Sequence, residues 1–348
     1  MGPGTDVAIV CVPREVFSVT QKSLETLFER TRVPFDLVYV DGGSPPQTRE
    51  YLEQAAGEFG FTLLRTRQFI TPNQARNLSL AHVRTPFVVF IDNDVLVSEG
   101  WLEPLIDCAR QTGAWAVAPL YFELNPDFQR IHMAGGLCQI RQEEDGRRYH
   151  WERHFHQHQL LADIELPIER QETELLEFHA VLVAMEAFEE LGPLDEGLMC
   201  QSEHADFSLC IRQAGQHIFL EPESKITYMP PRRLTRSDRK FFGLRWSEAW
   251  YQPTKRHFIE KWDLAPEHEE VENSTSWVRH HRRYAFRLPQ LLKKLISYRV
   301  VDQLQVSVLN DFEVWWSRWR YPESKYGGLS PVNAQVVTVA ASHDQSAA

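Results

Sequence analysis

Strand-length apolar runs and helix-length amphipathic segments take turns along the first third of the chain, and this alternation restricts the fold more than any other feature. Val7 to Val12 reads as a strand, Val19 to Arg30 has helical spacing through Leu24, Leu27 and Phe28, and Leu37 to Val40 is apolar again. Helices over Thr48 to Phe59, Asn73 to His82 and Gly100 to Gln111 then interleave with strands at Phe61 to Leu64, Phe87 to Ile91 and Trp115 to Ala118. Short connections make these βαβ units with right-handed crossovers. The expected fold class is α/β, a Rossmann-like, mostly parallel sheet flanked by helices, with a helical C-terminal extension.

The strand at Phe87 to Ile91 runs straight into Asp92-Asn93-Asp94. Open α/β sheets bind ligands at the carboxyl ends of their strands. Two carboxylates one residue apart suit a hard cation such as Mg2+ or Mn2+, which leaves coordination positions for phosphate oxygens. The same triplet also reads as a turn and N-cap for a helix starting near Ser98, and on these residues alone the two readings balance.

Composition removes several function classes. With 348 residues, 43% of them hydrophobic, the chain can bury a substantial core. A net charge of -11 argues against a general nucleic-acid binder. Cys11, Cys108, Cys138, Cys200 and Cys210 form no C-x-x-C pair, which suggests reduced thiols. The N-terminus has no signal-like pattern and no apolar stretch is long enough to span a bilayer, so a soluble, cytoplasmic chain is expected.

Past Pro119 the pattern changes. Residues 141–177 are rich in Glu, Arg, Gln and His and read as an exposed insertion or hairpin, with His150, His154, His156 and His158 in a solvated loop rather than at a metal. Glu186 to Leu191 reads as a helical turn. Ser202 to Gln213 follows as an amphipathic helix, with Ser202 as N-cap and Glu203 and Asp206 favoured by the dipole of its first turn. Glu203, His204 and Asp206 also form a candidate general-base cluster. Residues 277–320 are basic and aromatic with helical spacing and include Arg279, Arg282, Arg283, Arg287, Lys293, Lys294, Trp315, Trp316 and Trp319. That segment suits docking on its own domain, a homodimer contact, or peripheral contact with the inner face of a membrane; docking is the expectation.

The order of the pieces resembles the family 2 glycosyltransferases of the GT-A fold. The resemblance rests on Val40-Asp41-Gly42-Gly43-Ser44, Asn73-Gln74-Ala75-Arg76-Asn77, Phe90-Ile91-Asp92-Asn93-Asp94 followed by Gly100-Trp101-Leu102, and Phe188-Glu189-Glu190-Leu191-Gly192-Pro193-Leu194-Asp195-Glu196. It continues through Glu203-His204-Ala205-Asp206-Phe207 to Lys255-Arg256-His257-Phe258-Ile259-Glu260-Lys261-Trp262. It implies a catalytic domain over residues 1–264, divided into a nucleotide-binding half, 1–119, and an acceptor-binding half, 120–264. A helical extension over 265–326 and a disordered tail over 327–348 follow.

The resemblance further implies inverting transfer of one sugar from a nucleotide-diphosphate sugar, with Mn2+ or Mg2+, to the hydroxyl of a glycan, lipid-linked or small-molecule acceptor. Asp41 would receive the nucleobase, Arg76 would pair with the diphosphate, Asp92 would face the ribose or the metal, and Asp94 would bind the metal. Pro13, Gly43 and Asn93 would complete the donor pocket. The chain departs from the family pattern at the base, where Glu203-His204 stands for Glu-Asp, so His204, Glu203 and Asp206 all stay candidates. It departs again at Tyr228-Met229, where relatives carry a His, and Phe242-Gly243-Leu244-Arg245-Trp246 keeps Arg-Trp without the Gln of processive synthases. A catalytically degenerate relative that binds a sugar nucleotide or a partner without turnover is the alternative.

Overall fold

The computed structural model describes residues 5–230, 234–282, 297, 310–329 and 332–338. Its N-terminal half is β1 (Val7–Val12), α1 (Thr20–Arg30), β2 (Asp36–Gly42), α2 (Pro46–Phe59), β3 (Thr62–Thr66), α3 (Pro72–Leu80), β4 (Phe87–Asp92), β5 (Val95–Val97), α4 (Leu102–Thr112) and β6 (Ala116–Glu123). Then come β7 (Ile131–Met133), β8 (Gly136–Gln142), β9 (Arg148–His154), β10 (Gln171–Thr173), β11 (Ala180–Ala184), α5 (Glu186–Leu191), α6 (Glu203–Gln213) and β12 (Ile218–Tyr228). The chain closes with α7 (Asp238–Arg245), α8 (Glu248–Trp262), α9 (Glu269–Arg282), α10 (Asn310–Arg320), α11 (Glu323–Tyr326) and β13 (Ala334–Val336).

The main sheet has the order β10-β12-β6-β11-β4-β1-β2-β3-β13. Strands β1 to β4, β6 and β12 all run one way, and β11 is inserted against the grain between β4 and β6. The mostly parallel expectation therefore holds. Strand β1 pairs with β2 and β4, and its Val7–Val12 segment is buried throughout, as both faces of an interior parallel strand require. Helix α3 starts where the sequence sets it, with Pro72 in the first turn and a reciprocal capping box between Thr71 and Gln74.

Register decides where the site lies. Val12 stands opposite Asp92, so Pro13-Arg14-Glu15 and Asp92-Asn93-Asp94 leave the sheet side by side. Asn93 donates its backbone N–H to Val12 O at 2.9 Å, and Asp92 donates to His179 O at 3.1 Å, joining the entry to β11. Met229, just past β12, donates to Asp94 O at 3.0 Å. The exits of β1, β4 and β12 thus meet the entry to β11 at one edge of the sheet.

Four expectations are corrected. The helix expected near Ser98 is α4, which starts at Leu102, and Asp92-Asn93-Asp94 leads instead into β5, which pairs with β12, so the N-cap reading fails. Of the two readings of residues 141–177 the hairpin is present, as β8 and β9, but His150 and His154 lie on β9 rather than in a solvated loop, and β10 pairs with β12. Ser202 makes no side-chain cap; it sits at φ 66° in the left-handed region. The tail expected to be disordered returns Ala334–Val336 as an antiparallel edge strand on β3.

The C-terminal extension docks on its own domain. Val278 of α9 and Tyr321 after α10 are buried with Phe241, Phe242, Trp246 and Trp250 in a second apolar cluster. Trp246 and Trp250 are accordingly packing residues. Of the expected basic residues, Arg283, Arg287, Lys293 and Lys294 lie outside the described residues. No helix among the described residues is long and apolar enough to cross a membrane.

Candidate active site

A cavity of about 630 Å³ opens at this sheet edge. Arg14, Glu15, His179, Tyr228, Glu203 and Arg245 line it together with His132, His150, Glu152, His154, Glu177 and His204. Asp92 lies behind Arg14 and His179. It accepts from Arg14 Nη1 at 3.1 Å and from Arg76 Nη2 at 3.3 Å, and His179 Nδ1 stands 3.3 Å away. Burial raises its carboxyl, but Arg14, His179 and Arg76 outweigh burial and hold it at about 2.

Asp94 is the opposite case. It is fully buried, and neither carboxylate oxygen has a hydrogen-bond partner among the described residues. Burial first, then the charges of Asp92 and Glu15, push it well above the usual carboxylate range. A buried, unpartnered carboxylate is costly unless a proton or a cation meets it. With Glu15 and Asp92 close enough to perturb it, Asp94 fits an oxygen-ligated divalent cation.

The other expected donor residues are spent on the chain. Asp41 accepts from Ser44 N at 2.9 Å and from Arg65 Nε at 2.7 Å. Pro13 packs on Gly42, where an added Cβ would come within 2.7 Å of Pro13 Cγ, and Gly43 takes φ +78° to turn the chain. Asn93 donates to Val16 O at 2.8 Å and to Thr20 Oγ1 at 3.0 Å, and accepts from Arg14 N at 3.0 Å. Arg76 is fully buried, 4.0 Å over the Phe178 ring, and donates to Asn73 Oδ1 at 3.0 Å. None of these residues lines the cavity. Arg76 acts through Asp92, which it orients.

The three base candidates separate. Asp206 accepts from Trp262 Nε1 at 2.9 Å and from Lys261 Nζ at 2.8 Å, outside the cavity wall. His204 Nε2 stands 3.2 Å from Glu152 Oε2; burial opposes its charge, but Glu177 and Glu152 hold it up to about 10, so it is an imidazolium at neutral pH. Glu203 accepts from Arg245 Nη2 at 3.1 Å through Oε1, while Oε2 has no hydrogen-bond partner among the described residues. Burial raises Glu203, yet Arg245, Arg76 and His204 keep it below its ordinary value, hence ionised. Of the three candidates, Glu203 is the ionised carboxylate that borders the cavity.

The sequence reading missed Arg14, Glu15, Glu152, Glu177 and His179. Arg14 and Glu15 follow β1 directly, a position that the strand-end rule marks. Glu15 accepts from Tyr228 OH at 2.8 Å, and His281 Nε2 stands 3.2 Å away. Tyr228 also stacks on His179 at 4.3 Å between ring centres. His150 and His154, expected in a solvated loop, line the cavity, whereas His156 and His158 do not.

The model of glycosyl transferase family 2 matches residues 7–169. That match covers just under half of the chain. Polypeptide N-acetylgalactosaminyltransferase 5 of Caenorhabditis elegans is 23% identical over 272 residues, which are 74% of this chain and 43% of that protein. Succinoglycan biosynthesis protein ExoM of Rhizobium meliloti (strain 1021) is 29% identical over 132 residues, 37% of this chain and 43% of that one. This chain therefore spans less than half the length of either relative. The crystal structure of GalNAc-T7 with UDP, GalNAc and Mn2+ matches with a TM-score of 0.51 and 15% identity, over 86% of this chain and 58% of that one. That likeness establishes a shared fold, the GT-A fold.

The His204 environment sets a pH dependence of the chain's stability. A histidine raised from 6.5 to about 10 in the folded state stabilises fully below pH 6.5 and loses that contribution as pH rises through 10. The melting-temperature difference between wild type and His204→Gln is expected to be largest below pH 6.5 and to shrink steadily toward pH 10. Thermal melts across that range check it.

Proposed function

We propose that the chain transfers a single sugar, with inversion, from a nucleotide-diphosphate sugar to an acceptor hydroxyl. The observation that carries this reading is the buried, unpartnered Asp94 at the meeting point of β1, β4 and β12. Asp94, with Asp92 and Glu15 beside it, would hold Mn2+ or Mg2+. When bound, such a cation supplies Lewis-acid stabilisation of the leaving diphosphate.

The chain's own groups carry the rest. Arg14 borders the cavity and keeps Asp92 ionised, placing fixed positive charge where an anionic donor would lie. Glu203 would take the proton of the acceptor hydroxyl, whose oxygen attacks the anomeric carbon as the bond to the diphosphate breaks. Asp41, Arg76, Pro13, Gly43 and Asn93 support the donor side by shaping the loops behind it.

The relatives are named as a polypeptide N-acetylgalactosaminyltransferase and a succinoglycan biosynthesis protein. A glycan, lipid-linked or small-molecule hydroxyl accordingly remains the acceptor class proposed. Incubating the purified chain with a panel of nucleotide sugars, candidate acceptors and Mn2+ tests the reading. Metal-dependent release of nucleoside diphosphate with an inverted glycoside product is expected. Donor binding with no release from any donor would favour the non-catalytic alternative, which the imidazolium at His204 motivates.

A further inference from the structure

A second constellation lies at the same cavity, built from residues that the donor chemistry does not use. His132 on β7, His154 at the end of β9 and Glu177 before β11 bring ligand atoms within 4.8 Å of one another from three separate elements, and His204 in the first turn of α6 stands beside Glu177. Glu177 Oε1 stands 3.8 Å from His154 Nε2, 3.8 Å from His204 Nε2 and 4.0 Å from His132 Nε2. These distances are too long for hydrogen bonds. Ligand atoms that stand about 2.0–2.2 Å from a tetrahedral Zn2+ lie about 3.4 Å from one another, so a contraction of roughly 0.5–1.5 Å would close His132, His154 and Glu177 around an ion.

We infer that His132, His154 and Glu177 form a binding site for a borderline transition-metal ion, Zn2+ in chemical class, separate from the oxygen-ligand site at Asp94. Two imidazole nitrogens and one carboxylate oxygen, with the fourth position left to water, are a donor set of such an ion and a poor one for Mg2+. The surroundings are those of a metal site. His132 Nδ1 lies 3.4 Å from Glu123 Oε2, a carboxylate that fixes the ring and leaves Nε2 facing inward. Glu152 Oε1 lies 2.8 Å from His154 Nε2 and supplies an alternative oxygen ligand from the same hairpin. The side chains of His132, His154 and Glu177 are 17%, 11% and 8% exposed.

The site has a structural purpose. The β8–β9 hairpin forms a two-stranded sheet of its own, apart from the main sheet. An ion shared by His154, His132 and Glu177 ties that hairpin to β7 and to the entry of β11. It would thereby fix the hairpin side of the cavity, whether or not sugar transfer is the reaction there.

Chelator-stripped full-length protein titrated with Zn2+ and, for its visible spectrum, Co2+ tests the inference. The wild type is expected to bind one equivalent, to melt at a higher temperature with Zn2+, and to give the intense absorption of tetrahedral Co2+. His132→Asn and Glu177→Gln, each checked for folding by circular dichroism, should weaken Zn2+ binding at least ~100-fold and lose that spectrum. Asp94→Asn should keep both. A wild type that takes up neither ion overturns the site, as does Zn2+ binding that survives Glu177→Gln but disappears with Asp94→Asn.

Discussion

Asp94→Asn is expected to abolish sugar transfer and, at the same time, to make the metal-free protein more stable. Both effects come from one observation, a fully buried carboxylate with no hydrogen-bond partner among the described residues. Folding raises its pKa well above the ordinary 3.8, so at neutral pH the folded state must carry a proton or an unpaired charge that the unfolded state does not. Raised acids cost stability above their unfolded pKa, and an amide of the same shape removes that cost. An unsatisfied buried group costs about 1–3 kcal/mol, which for a chain of this size is a rise of a few degrees in the melting point measured with chelator present. The loss of a cation that stabilises the leaving diphosphate by several kcal/mol lowers turnover by about 10³-fold. A variant melting below the wild type in chelator, with turnover intact, would show that Asp94 is a packing residue.

The second large effect is expected at Glu203. If its unpartnered Oε2 takes the acceptor proton, Glu203→Gln lowers kcat by about 10²–10⁴-fold and leaves donor affinity within a few-fold of wild type. The substitution keeps an oxygen for Arg245, which is 1% exposed and donates to Glu203 at 3.1 Å, so the buried guanidinium is not stranded. Glu203→Ala is a different experiment: it removes that partner and should cost about 3–5 kcal/mol in stability. Single-turnover kinetics on the glutamine variant separate chemistry from binding. A near wild-type rate in Glu203→Gln, with a deep loss in His204→Gln, would move the base to the imidazole.

Much of the fold could be read from the sequence because parallel strands buried on both faces leave plain apolar runs, as Val7–Val12 and Phe87–Asp92 do. The alternation through β6 was legible for the same reason, and so was the place of Asp94 at a strand end. The donor-side assignments were harder. Asp41, Arg76 and Asn93 are the residue types that bind nucleotides, yet Arg65, Asp92 and Thr20 engage them inside the protein, and partners so distant in sequence leave no local pattern. Glu152 and His154 fell in a polar stretch without apolar periodicity, because the β8–β9 hairpin is only half-buried. Its histidines meet His132 and His204 only when four separate elements come together. The tail strand at Ala334–Val336 escaped notice because an edge strand needs one ladder and little apolar content.

Titration of UDP and GDP into the purified chain by calorimetry, once with Mn2+ and once with chelator, tests the central claim most directly. If Asp94 holds a cation that a nucleoside diphosphate completes, one of the two nucleotides binds at one equivalent with Mn2+ and at least tenfold more weakly without it, and Asp94→Asn removes the difference. Binding of equal strength with Mn2+ and with chelator, or no binding of either nucleotide, would contradict it.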